Sequence, residues 1–216
     1  MVTVDSGSAG RQRRRTWVVG GALLVGSAML RLAAQGPLFA LASGVDLLFA
    51  AGALLLAIGI GRAGSVTARR PLGTGAVVAL VVVLLGWPLV ANLVTSDDEG
   101  FGDGQLIGRA FLVTLVQIVL LLAFAIVATV QIGRAGVVPR PWNWAPLWAL
   151  VVVVLTRILP MLMPRGLYAD PTGALMLSGA LALLGTAAVA FLGIVAIVLG
   201  TRAGDNAVAV YPSSTS

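Results

Sequence analysis

Six stretches of about 20 predominantly apolar residues follow one another along the chain, each long enough to cross a bilayer as a helix. They cover residues 17–34, 37–60, 75–94, 106–132, 144–163 and 173–199. Runs of this length decide the fold class before any motif does. In lipid, every backbone N–H and C=O needs a partner inside the protein, so only helices or closed barrels span it. The runs are continuous and do not alternate, which argues against a barrel. The chain is 59% hydrophobic and 10% charged, far from the roughly one quarter charged of a soluble domain. The expected fold is an all-α integral membrane protein of six transmembrane helices.

The connections group these helices in pairs. Only Gln35-Gly36 separates the first two runs, and so short a turn forces an antiparallel hairpin. The phrase Gly61-Arg62-Ala63-Gly64 closes the second run. It returns as Gly133-Arg134-Ala135-Gly136 after the fourth and, weaker, as Thr201-Arg202-Ala203-Gly204 after the sixth. Spacing of this kind reads either as a repeated two-helix unit or as one solution reached three times. Glycine supplies a left-handed cap at a helix end. Arginine beside it suits the negative helix terminus and anionic headgroups. Pro71 and Pro141 then keep a helix from resuming at once. The chain therefore reads as three consecutive hairpins (17–200), preceded by a disordered basic arm (1–16) and followed by a short tail (201–216). Late prolines, Pro88 and Pro160, are expected to kink the third and fifth runs.

Arginine placement gives the orientation. One side holds Arg11, Arg13, Arg14, Arg15, Arg62, Arg69, Arg70, Arg134, Arg140 and Arg202; the other holds Arg31, Arg109, Arg157, Arg165 and most of the acids. Both termini are expected in the cytoplasm, and the protein in the cell's inner membrane. Trp17, Trp142, Trp144 and Trp148 fall at the inner interface, where amphipathic rings are favoured. Arg62, Arg134 and Arg202, with Trp142 and Trp144, are the expected anchors there. The segment from Arg14 to Val18 resembles a twin-arginine export signal, with Ala40-Leu41-Ala42 as a cleavage site. Arg31 within the apolar core and five later runs favour an uncleaved first helix. The Lys-free usage, rich in Ala, Val, Gly and Arg, suggests a high-GC bacterium.

Chemistry-bearing residues are few. Asp46 is the only acid inside a run, and an intramembrane carboxylate is costly enough to be a functional candidate. Counted from the turn, Arg31 on the neighbouring helix lies within side-chain reach of Asp46, and Arg157 is a second candidate partner. Such a pair serves either to fix helix packing or to relay protons or bind a solute. Arg31, Arg109 and Arg157 all fall in outer halves of runs, where they snorkel to the interface or line an anion pocket. Asn92, Gln117 and Gln131 are expected to bond between helices. Small residues at Gly179, Ala182, Gly185, Ala188 and Gly193 signal close packing. The loop from Ser96 to Gly104 holds Asp97, Asp98, Glu99 and Asp103. It is oxygen-rich enough for a hard cation, but its spacing matches no EF-hand, and no metal is assigned.

Absences narrow the function. There is no Cys and no His, and hence none of the usual thiolate or imidazole for a metal, a haem or a Ser/His hydrolase. A single intramembrane carboxylate cannot form an aspartyl dyad, and no Walker-type loop binds nucleotide. No catalysis and no cofactor are expected. The net charge of +6 belongs to membrane orientation and not to nucleic acid. In size and span number the chain resembles the small substrate-binding membrane subunits of vitamin importers, which borrow a separate ATPase. That resemblance carries no motif and implies no site residue. The expected role is a non-catalytic accessory or structural subunit in contact with lipid, other membrane subunits or itself. The alternative is a small permease or substrate-binding transporter component built on Asp46 and the outer arginines.

Overall fold

The computed structural model describes residues 6–35, 41–59, 65, 67, 70–95, 103–136, 138, 142–162 and 171–205. Among these residues the protein is all-helical, with six α-helices: α1 (Ser6–Ala33), α2 (Ala42–Ile58), α3 (Pro71–Thr95), α4 (Asp103–Ala135), α5 (Ala145–Leu162) and α6 (Pro171–Asp205). A single 3₁₀ turn, Trp142–Trp144, leads into α5. Five helices are long and apolar enough to cross a membrane. The exception is α2, whose 17 residues rise about 25 Å against a hydrocarbon thickness of about 30 Å. The protein is membrane-embedded and multipass.

Each sequence-adjacent pair expected as a hairpin packs together, and each is antiparallel. Gly20 lies beside Gly52 and Leu56, while Gly44 lies beside Leu30, so α1 and α2 run in opposite directions. Gly73 abuts Gln131, and Ala76 and Val77 cluster with Ala128, which does the same for α3 and α4. In the third pair Gly185 faces Thr156 and Phe191 faces Trp142.

The most extensive packing in the molecule, however, joins the two ends of the chain, α1 to α6. Trp17 meets Gly200, and Gly21 and Gly193 meet each other so closely that a Cβ on Gly21 would stand 2.5 Å from the Gly193 carbonyl oxygen. Glycine is required there because backbone meets backbone. This contact closes the helices into a ring with the ends of α1 and α6 that lie nearest the chain termini on the same side. Burial follows: 39% of the apolar window of α1 is buried, against 6% for those of α3 and α4.

Several element ends differ from expectation. The arm expected as disordered is helical from Ser6 onward, continuous with the first span. Arg13 stacks its guanidinium 5.0 Å from the centre of the Trp17 ring, and the Thr16 hydroxyl donates to the Gln12 carbonyl at 3.0 Å. Both are one-turn contacts that a helix makes and a coil does not. Pro71 begins a helix instead of delaying it, as Pro171 also begins one; Pro141 lies outside the described residues. A first-turn residue has no N–H bond to lose there. Pro88 and Pro160 both lie inside continuous helices.

The repeated glycine-arginine phrase behaves differently at each occurrence. In the second copy, α4 stops at Ala135 and Gly136 takes φ +66°, the left-handed cap expected. In the first copy the stop comes earlier, at Gly59 with φ 76° and ψ 151°, a conformation open only to glycine. The phrase itself, 61–64, lies outside the described residues. In the third copy there is no stop: α6 runs through Thr201-Arg202-Ala203-Gly204 to Asp205.

Candidate functional site

Arg31 and Asp46 are a charged pair that the described helices bring together. α1 carries Arg31 in its last turn, and the antiparallel register with α2 sets Asp46 opposite. One guanidinium nitrogen reaches one carboxylate oxygen at 3.4 Å. This is a single long contact, not the bidentate fork that arginine and carboxylate make when fully engaged. The side chains are 40% and 45% exposed, so the pair lies at the margin of the packed helices. Arg157 of α5 is near enough for its positive charge to repel that of Arg31. Arg109 lies on α4.

Beside Arg31 is a gap of only about 10 Å³, lined by Ser27, Ala28, Phe49, Thr186 and Val189. That is room for one water at most. Ser27 and Thr186, the hydroxyls in its wall, donate back to the carbonyls of Leu24 and Ala182 on their own helices, so neither side chain is held ready for a solute.

A second space lies toward the arginine-rich end. It measures about 180 Å³ and draws its walls from all six helices, among them Trp17, Phe49, Leu56, Val77, Ile132, Ala145 and Leu199. Phe49 lines both spaces. Among the described residues, the only hydroxyl in the cavity wall is that of Thr67. It is fully buried and bonds to the Ala57 carbonyl at 3.1 Å and the Thr74 hydroxyl at 2.8 Å. Ser65 Oγ donates to the same carbonyl and lies 3.0 Å from Thr67 Oγ1. The last carbonyls of a helix have no partner within it. Ser65 and Thr67 supply one to α2, tying the following segment under the bundle.

The remaining candidates are dispersed. Arg134 and Arg202 are exposed in the last turns of α4 and α6. Trp142 and Trp144 are 39% and 46% exposed, and each also packs inward. Trp142 tilts against Phe191 with ring centres 6.2 Å apart, and Trp144 lies over Gly133. Trp17 is no interfacial ring, being 2% exposed against α6. Arg62 and the acidic segment 96–102 lie outside the described residues. Among the described residues no cluster of acids suits a metal ion.

The Ser65–Thr67–Thr74 knot, the α1–α6 closure and the cavity were all missed by sequence reasoning. The one available signal was the pair Ser65 and Thr67 just after the first Gly-Arg-Ala-Gly phrase, which reads equally well as a solvated loop. No protein-family model, curated protein or solved structure matches the chain.

Proposed function

We propose that this protein is a non-catalytic accessory or structural subunit of a membrane assembly, crossing the cell's inner membrane six times with both termini in the cytoplasm. The observation that carries the reading is the internal use of the membrane-embedded charges. Asp46 is engaged by Arg31, and the space beside them holds no more than a water. A path for a polar solute needs polar groups along its length, yet beyond Phe49 the next space is apolar apart from an engaged hydroxyl.

Two further features support it. Outward of Val81, α3 presents Val82, Leu85, Leu89 and Leu93, and α4 presents Phe111, Leu112, Leu115 and Val119, all exposed. These faces meet lipid or another membrane protein. The antiparallel contact of α1 with α6 supports an even number of crossings, and with it six over five and a crossing by the short α2. The arginine-rich side, which includes both termini, goes to the cytoplasm by the positive-inside rule.

A transport component is the second reading, favoured by the excess positive charge at Arg31 and Arg157. The test is purification from the native host in mild detergent, with mass spectrometry of the recovered material. A partner at fixed stoichiometry supports the subunit reading. Recovery of the chain alone, or only as its own oligomer, moves the weight to transport, and flux through reconstituted Asp46→Asn protein then decides.

A further inference from the structure

The cavity at the arginine-rich end combines two properties that no packing role accounts for. The first is unfilled apolar volume. About 180 Å³ exceeds the roughly 150 Å³ of an apolar protein cavity that stays dry and takes up benzene. Well-packed helices leave few voids larger than a water. The cavity is partly open to its surroundings.

The second property is its charged border. Arg13 stacks on Trp17, which lines the cavity, and the Arg70 N–H bonds to the carbonyl of the lining residue Thr67 at 3.0 Å. Arg202 follows the lining residue Leu199 by three positions, on the same side of α6, and Arg134 lies in the last turn of α4, two positions after the lining residue Ile132. Four arginines from four parts of the chain thus lie within about one helical turn, along the chain, of residues that line one apolar space. Burying hydrocarbon in the cavity and phosphate among the guanidiniums satisfies both halves of a single kind of molecule.

We infer that this cavity is a binding site for an anionic phospholipid, with an acyl chain between α1, α2 and α6 and the phosphate among Arg13, Arg70, Arg134 and Arg202. The site is independent of the accessory role proposed above and would serve a transport component equally. Its specificity comes from charge, because the described wall is apolar apart from two indole rings and the engaged hydroxyl of Thr67.

Trp17 and Trp142 line the cavity, so the protein carries its own reporters. The experiment uses the full chain with Trp87, Trp144 and Trp148 changed to Phe, reconstituted in phosphatidylcholine. Phosphatidylglycerol bearing brominated acyl chains is then titrated in, with brominated phosphatidylcholine as the comparison. Quenching is expected to saturate at low mole fraction of the anionic lipid, with a preference of about tenfold or more over the zwitterionic one. Ala196→Leu and Ala53→Leu, two independent cavity-filling changes, are expected to abolish the saturable component while the protein still elutes as a single folded peak. Arg134→Gln with Arg202→Gln is expected to erase the preference and leave quenching by both lipids. Quenching that merely tracks total brominated lipid, or that both folded filling variants leave unchanged, would overturn the inference. Equal saturation by the two lipids would overturn its anionic half.

Discussion

Gly21→Ala offers the sharpest view of what closes the ring of helices. The added methyl carbon would stand 2.5 Å from the Gly193 carbonyl oxygen, 2.8 Å from Ile197 Cγ1 and 3.1 Å from the Ile197 nitrogen. Two of those atoms are backbone, so no rotamer change relieves the contact. The helices must separate by most of an ångström over the crossing, forfeiting a quarter to a half of the dispersion energy of each pair they part. Overpacking of this kind costs about 3 kcal/mol at the upper end of its usual range. Replacing an interior helical glycine by alanine returns about 1 kcal/mol. The expected net loss is about 2 kcal/mol. Gly26, on the same helix with nothing within 4 Å of a Cβ, is the matched control, and its change to Ala should stabilise by up to about 1 kcal/mol. Unfolding in mixed micelles, followed by tryptophan fluorescence, measures both. Gly193→Ala makes the reciprocal clash, 2.6 Å from the Gly21 carbonyl oxygen. The double variant should therefore cost less than the sum of the singles. Equal behaviour of Gly21→Ala and Gly26→Ala would refute the close approach of α1 and α6.

Asp46→Asn should destabilise by about 1–2 kcal/mol, below the 3–5 expected for a fully buried pair because both side chains remain about half exposed. A double-mutant cycle with Arg31→Met checks it, the double variant recovering most of the loss. Thr67→Val keeps the shape but removes the hydroxyl shared by Ala57 and Thr74, and should cost about 1–3 kcal/mol, read as lost thermal stability and faster amide exchange at the start of α3. Gly136→Ala should cost about 1–2 kcal/mol for its left-handed φ. Gly59→Ala, in a region closed to other residues, should cost as much or more, up to about 3. The same unfolding assay ranks the two.

Helical class and the pairing of neighbours were legible in the chain because both follow from local quantities: run length and turn length. The Arg31–Asp46 register was legible for the same reason, since residues counted back from a tight turn meet across it. What escaped depends on distant parts of the chain. Nothing local to Gly21 or Gly193 says that they meet, because the ends of the chain find each other only when the ring closes. The small-residue stripe of α6 was read correctly as a packing signal, yet Gly185, Ala188 and Gly193 are used while Gly179 has nothing within 4 Å of a Cβ. The repeated glycine-arginine phrase misled because its shared Arg-Ala-Gly has different roles: a left-handed cap at Gly136, and part of the last helical turn at Gly204. Trp17 was assigned to an interface by its place at the end of a run. A partner helix, not the membrane, decided its burial.

Site-directed labelling tests the six-crossing arrangement most directly, and the chain contains no cysteine to interfere. Single replacements Ser8→Cys, Gly36→Cys, Ala63→Cys, Ser96→Cys and Ser213→Cys would be probed with a membrane-impermeant thiol reagent in right-side-out and inverted vesicles. An even, up-and-down bundle places Ser8, Ala63 and Ser213 on the inner side and Gly36 and Ser96 on the outer. Ala63 labelled from the same side as Gly36, with the two termini on opposite sides, would mean that α2 does not cross, and would contradict the arrangement.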